Sequence, residues 1–325
     1  MGFEIVILIV LMGLLFDYTN GFHDASNVVS TPIATKIVRP FVAILLTSIF
    51  NFIGATQISG VATTITTGLV VAQEASQLMV LTAVFGAVCW NFLTWYFGIP
   101  SSSSYALVGG LIGAAWVHGG AQMIVWKTVL LKVVIPMILS PIAGFLLAFF
   151  VMKILIRYFP QNLKIYRYFQ MGSASILALS HGLNDAQKSM AIITLGLFTA
   201  KLIPTTHIPL WVIGACATMM ALGTASGGFR IIRTMGYEIT KLHPVQGLAV
   251  ESSASVVILL ASYLGMPISS THMIAGSITG VGTARGIKAV KWATAQKLVV
   301  AWILTLPGAG FVSGLTFNLL LNVFN

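Results

Sequence analysis

Seven acidic side chains are spread over 325 residues, and two of them, Asp24 and Asp185, stand in the same local context. The stretch Gly21-Phe-His23-Asp24-Ala-Ser-Asn27 returns 161 residues later as Gly182-Leu-Asn184-Asp185-Ala-Gln187-Lys188. Each copy sets a carboxylate and polar neighbours within a polar break of an apolar segment. At membrane depth a carboxylate costs about 2.5–3.5 kcal/mol on insertion scales, so an ionisable residue there is a functional candidate. Clustered carboxylate and amide oxygens are hard ligands that suit a small hard cation.

A second pair of stretches carries hydroxyls. Pro100-Ser-Ser102-Ser103-Ser104 returns 167 residues later as Pro267-Ile-Ser269-Ser270-Thr271, in the same order relative to the aspartates. Proline followed by small hydroxyl residues starts a helix and leaves backbone N–H groups unpaired at its N-terminus. Those N–H groups and the positive end of the helix dipole attract an anion, and the hydroxyls add donors. Two such starts related by an internal repeat match the broken helices of secondary transporters. The pattern predicts a paired anion cradle beside two carboxylates.

The remaining polar residues read more plainly. Glu4, Asp17, Glu74 and Glu238 are expected at helix ends near the membrane interface, while Glu251 lies inside an apolar run and stays a candidate ion ligand. His23 and His272 fall within the motifs, and His118, His181, His207 and His243 are expected at helix ends. There is no Gly-x-x-x-x-Gly-Lys-Ser/Thr loop for ATP, no His-Glu-x-x-His zinc helix and no Gly-x-Ser-x-Gly elbow. Cys89 and Cys216 both sit in apolar runs and read as small hydrophobes.

The elements that must position these residues follow from composition. Hydrophobic residues make up 57% of the chain and charged residues 7%, against about 25% charged in soluble domains. Mean hydropathy is +0.96. Such a chain cannot cover itself with polar surface. A soluble enzyme, a disordered protein and a nucleic-acid-binding module are excluded despite the net charge of +10. Apolar runs fall near 3–20, 41–58, 77–97, 133–152, 208–222, 246–264 and 298–321, with shorter ones near 103–117, 171–180, 189–200 and 268–282. Spanning segments must be helices or a closed barrel, and runs this long without alternation are helices. At about 20 residues per span, ten to twelve embedded helices are expected. The fold class is therefore an all-α polytopic membrane protein with broken or re-entrant helices at the site.

The two linked matches make the chain a duplication, with a first transmembrane repeat over 1–152, a cytoplasmic linker over 153–169 and a second repeat over 170–325. Gly109/Gly113 and Gly276/Gly280 recur at equivalent places and suit close helix packing. Basic residues cluster at Lys36/Arg39, Lys153/Arg157/Lys164/Arg167, Arg230/Arg233/Lys241 and Arg285/Lys288/Lys291/Lys297, as expected of cytoplasmic loops. The N-terminus is then expected outside, with the first apolar stretch, 3–16, a retained helix rather than a signal peptide.

At these motifs the sequence resembles the inorganic phosphate transporters of the PiT type, which are sodium- or proton-coupled symporters. Gly21–Asn27 and Gly182–Lys188 are similar to that family's duplicated Gly-x-Asn-Asp-x-x-Asn signature, and Pro267–His272 and Pro100–Tyr105 to its Pro-x-Ser-Ser/Thr-Thr-His element. Gly228–Gly236 resembles a loop of the same family. The departures are His23 for the first Asn, Lys188 where the first half has Asn27, and Tyr105 for His. The large central loop of animal members is absent, which suits a prokaryotic protein. The resemblance implies inverted repeats of about five to six embedded helices each and a homodimer in the plasma membrane. It also implies phosphate and Na+ bound near mid-membrane. Carried over, Asp24, Asn27, Asn184 and Asp185 hold Na+, and Ser102–Ser104, Gln187 and Ser269–Thr271 hold phosphate. No cofactor is implied beyond the coupling ion. Proton coupling, or sulfate as the oxyanion, is the alternative on the same fold. A channel would need a continuous polar pore, whereas the polar residues cluster at two points. An intramembrane enzyme using Asp24 and Asp185 has no other support in the sequence.

Overall fold

The computed structural model describes residues 2–57, 60–160 and 164–324. The first half comprises α1 (Gly2–His23), α2 (Ala25–Ala34), α3 (Pro40–Ala55), the short α4 (Gly60–Thr63) with a wider turn over Thr64–Gly68, α5 (Gln77–Tyr96) and α6 (Ser103–Gly119). It ends with α7 (Trp126–Thr128), which runs through Val129–Val134 into α8 (Ile135–Tyr158). The second half comprises α9 (Ile165–Thr199), α10 (Leu210–Ser226), α11 (Phe229–Tyr237), α12 (Pro244–Tyr263), α13 (Ser270–Arg285) and α14 (Trp292–Phe324). No β-sheet occurs among the described residues.

Burial is arranged for lipid. Ile138, Leu139 and Phe150 on α8 and Ile303, Leu304 and Phe311 on α14 face outward, whereas the aspartates and the repeated hydroxyls are buried. Trp116, Trp126, Tyr158, Tyr263 and Trp292 are exposed near helix ends, where amphipathic rings suit the headgroup level. Among the described residues, five helical stretches are long and apolar enough to cross a bilayer: Phe3–Ala34, Gln77–Tyr96, Trp126–Tyr158, Pro244–Tyr263 and Trp292–Asn322. Two bent pairs bring the number to seven. Pro40–Ala55 and Gly60–Gly68 meet at 66°, and Leu210–Ser226 and Phe229–Tyr237 at 70°. This is fewer than division by span length suggests, for two reasons. Helices α6 and α13, of 17 and 16 residues, start inside the fold, and α9 carries its polar residues along 35 residues.

Elements at equivalent places in the halves pack in equivalent ways. Helix α1 lies on α10 and α5, and α9 on α3 and α12; α6 packs on α14, and α13 on α8. Gly109 and Gly113 bring α6 against the backbone of Leu306 and Gly310, while Gly276 and Gly280 bring α13 against Pro141 and Phe145. A Cβ at any of the four would run into the partner's main chain, so glycine is required. Helices α1 and α9 run antiparallel, with Gly13 against Ile193 and Ile9 against Gly196.

The polar stretches behave differently in the two halves. The first motif interrupts the helix at a single residue, Asp24, between α1 and α2. The second does not interrupt it at all: α9 is continuous through Asp185, against the expectation of a polar break. Its backbone keeps its intrahelical bonds, and the polar side chains turn inward instead. Within 153–169 most of the chain is helical, as the end of α8 and the start of α9; residues 161–163 lie outside the described residues, as does residue 58 at the end of one apolar run. Arg167 donates to the Lys36 carbonyl at 3.3 Å, and Lys153, Lys164, Arg167 and Arg285 line one cavity of about 770 Å³. Three of the basic clusters thus gather at one end of the molecule.

Candidate functional site

The two hydroxyl stretches start helices where the prolines predict. Ser102 and Ser269 are extended residues that cap α6 and α13, each side chain accepting from the N–H three residues on, Tyr105 N at 3.3 Å and His272 N at 3.2 Å. Accepting leaves each cap hydroxyl its own proton to donate. Ser101–Ser104 and Ser269–Thr271 are all buried, so both helix N-termini point into the interior.

Asp24 meets both of them. Ser103 Oγ donates to Asp24 Oδ2 and, at 2.7 Å, to Asn20 Oδ1; Thr271 Oγ1 lies 3.4 Å from Asp24 Oδ1. His23 Nδ1 lies 2.7 Å from Asp24 Oδ1, and its Nε2 lies 3.1 Å from Thr94 Oγ1. Asn27 reaches across the halves, its Nδ2 donating to Thr271 Oγ1 at 2.8 Å, while its Oδ1 has no hydrogen-bond partner among the described residues.

Asp185 occupies the matching place in the second half. Ser270 Oγ donates to Asp185 Oδ2 at 3.2 Å, and His181 Nε2 lies 3.2 Å from the same oxygen. Lys188 Nζ donates to Asp185 Oδ1 at 2.6 Å, to Ile268 O at 3.3 Å and to Ser104 Oγ. Asn184 Nδ2 donates to Ser262 Oγ at 2.8 Å, leaving its Oδ1 unpartnered among the described residues.

Asp24, Asn27, Ser103 and Thr271 thus form one hydrogen-bonded group and Asp185, Lys188, Ser104 and Ser270 a second, and the two adjoin because Ser103/Ser104 and Ser270/Thr271 are chain neighbours in the first turns of α6 and α13. Three candidates stand elsewhere, Asn184 with its amide turned to Ser262 and the Met266 carbonyl being the first. Gln187 donates to Gln57 O at 2.7 Å and accepts from Ala62 N at 3.3 Å, bracketing the bend between α3 and α4. Glu251 forms its own polar group on α12, accepting from Thr31 at 2.7 Å, Gln170 at 2.9 Å and Ser173 at 2.5 Å.

Two residues expected at helix ends are instead inside. His181 is buried against Asp185 and, at 3.2 Å, Asn51 Oδ1. Extending the repeat by one residue would have found it, because Asn20-Gly21 pairs with His181-Gly182 and both side chains serve the cluster. Asp17 is wholly buried in α1 beside Ser189 and Cys216, and neither carboxylate oxygen makes a well-formed hydrogen bond among the described residues. An apolar run with one acidic residue looks the same whether that residue faces lipid headgroups or the interior, so no local signal marks it.

The arrangement combines two helix N-termini, their hydroxyls and two buried carboxylates. A tetrahedral oxyanion suits the donors, but a charge about 5 Å from a carboxylate is repelled by about 3 kcal/mol at an effective dielectric of 20. Binding an anion here therefore demands positive charge. Lys188 supplies one, and on the Asp24 side Asn27 Oδ1 is an acceptor with no hydrogen-bond partner among the described residues.

The model of the "Phosphate transporter family" matches residues 20–162 and 157–313. Relatives described as probable low-affinity inorganic phosphate transporters are 40% identical in Bacillus subtilis, over 98% of both chains, and 40% identical in Rhizobium meliloti, over 98% of this chain and 97% of the relative. A solved structure described as the sodium-dependent phosphate transporter superposes with a TM-score of 0.88 over 98% of this chain and all of its own, at 23% identity, and shares the fold. With two buried helix N-termini in a polytopic helical fold and relatives matched along nearly their whole length, the chain belongs to the phosphate transporter family and is a multi-pass plasma-membrane transporter of phosphate, not an enzyme.

Proposed function

We propose that the chain is a cation-coupled symporter of inorganic phosphate, with Na+ as the coupling ion. Phosphate binds between the N-termini of α6 and α13, held by Ser102, Ser103, Ser104, Ser269, Ser270 and Thr271. Asp24, Asn27, Asn184 and Asp185 hold the cation, Glu251 supports α2 beneath it, and Gln187 serves phosphate through the α3–α4 bend. The observation that carries this reading is the convergence of two buried helix N-termini on two buried carboxylates. The unpartnered oxygens of Asn27 and Asn184 suit a hard cation, and the name of the structurally similar transporter supports sodium. The antiparallel packing of α1 and α9 supports halves of opposite orientation, and we place the working unit as a homodimer in the membrane.

Proteoliposomes loaded without phosphate test the reading. Saturable uptake should require an inward sodium gradient and should be blocked by unlabelled phosphate but not by sulfate. A proton gradient that drives uptake equally well without sodium would replace sodium by protons. The His23–Asp24 pair at 2.7 Å favours that second reading, because an imidazole–carboxylate pair can hold a proton.

A further inference from the structure

Lys188 and Asn27 stand at the same position of the two motifs, but only one carries charge. Lys188 is among the largest fully buried side chains of the protein. Its three N–H donors meet three acceptors: the Asp185 carboxylate at 2.6 Å, the Ile268 carbonyl at 3.3 Å and the Ser104 hydroxyl. Carboxylate, carbonyl and hydroxyl oxygens, drawn from both halves, are the ligand types a small hard cation takes. On the Asp24 side the matching residue is a neutral amide whose Oδ1 is unpartnered. There the cation must come from solution.

We propose that the Lys188 ammonium is a tethered cation, filling in the second half of the site the place a free coupling ion would otherwise take. The inference rests on the cation-coupled reading above and extends it to the number of ions. With both aspartates ionised and phosphate bound, one fixed positive charge removes the need for one mobile one. A tethered charge stabilises bound phosphate but never crosses the membrane with it. It therefore adds binding energy without adding driving force, and each cycle carries one cation fewer per phosphate.

A simple counter-charge for Asp185 would stabilise the fold without altering how many ions bind with phosphate. That number is read by linkage, as the slope of log phosphate affinity against log sodium concentration. The experiment titrates inorganic phosphate into the purified full chain in detergent, with sodium exchanged for choline at constant ionic strength. Lys188→Ala and Lys188→Asn should each raise the slope by about one over the wild-type value. Between about 1 and about 100 mM sodium, that is about a hundredfold additional sodium-dependent gain in affinity. Lys188→Arg, which keeps the charge, should retain the wild-type slope. Monodisperse Ala and Asn variants with the wild-type slope would overturn the inference. A wild-type slope of two or more would overturn it without any variant. A wild-type slope of zero would instead overturn sodium coupling, and an increment of one in the variants would still support the tethered cation.

Discussion

Asn27 and Lys188 each cross to the helix N-terminus of the opposite half, Asn27 Nδ2 donating to Thr271 Oγ1 at 2.8 Å and Lys188 Nζ to Ser104 Oγ. Ser104 and Thr271 are themselves equivalent in the two hydroxyl stretches. The site is built by exchange, each half completing the other. A movement that separates α2 from α13, or α9 from α6, breaks one of these bonds and opens the cluster.

Ser103 and Ser270 donate to the two carboxylates and stand at the first turns of α6 and α13. A hydrogen bond to a charged group is worth about 1.5–3 kcal/mol. Ser103→Ala or Ser270→Ala should therefore lower apparent phosphate affinity about tenfold to a hundredfold in initial-rate uptake. Unchanged affinity in both would place the substrate elsewhere.

Asp24→Asn and Asp185→Asn should both abolish coupled uptake, but they should differ in stability. Asp185→Asn leaves the buried Lys188 ammonium without its carboxylate, and breaking a buried pair costs about 3–5 kcal/mol. Asp24→Asn leaves His23, Ser103 and Thr271 facing a neutral amide, and none of the three carries a permanent charge. Thermal unfolding in detergent should show a large loss for Asp185→Asn, a small one for Asp24→Asn, and recovery when Lys188→Met is added to Asp185→Asn.

Asp17 is buried beside Ser189 and Cys216 and makes no well-formed hydrogen bond to either. An unsatisfied buried polar group costs about 1–3 kcal/mol. Asp17→Val should raise the midpoint of thermal unfolding while lowering uptake. A variant that loses stability would show that Asp17 is a structural requirement.

Gly113 and Gly280 face the backbones of Gly310 and Phe145. Overpacking costs about 1–3 kcal/mol where side chains can adjust, and more where main chain blocks the way. Valine at either position should sharply reduce the yield of monodisperse protein, whereas Gly172→Ala, with open space around it, should not.

Lys36 and Lys201 are the two non-glycine residues with positive φ, 57° and 58°, among the described residues, and they follow α2 and α9 respectively. Both are exposed. Single cysteines there, in a background lacking Cys89 and Cys216, should react with impermeant reagent from opposite sides, Lys36→Cys from the cytoplasm. Labelling of both from one side would refute opposite orientations.

Hydropathy and the spacing of repeated motifs are properties of the chain in one dimension, and they suffice for class and candidates. Too few charges to make a polar surface dictated a membrane protein. The proline–hydroxyl stretches dictated helix starts at Ser103 and Ser270, because capping is decided within four residues. The duplicated aspartates marked the cluster for the same reason. What only the tertiary structure decided involves partners far apart in sequence. It put Thr271 of the second half beside Asp24 and Asn27 of the first, and kept α9 unbroken through Asp185. It also turned Asp17 and His181 inward and drew Gln187 to the α3–α4 bend. A helix exposes one face to lipid and another to its neighbours, and which face a polar residue occupies is set by how α1, α9 and α10 pack. No local pattern contains that packing.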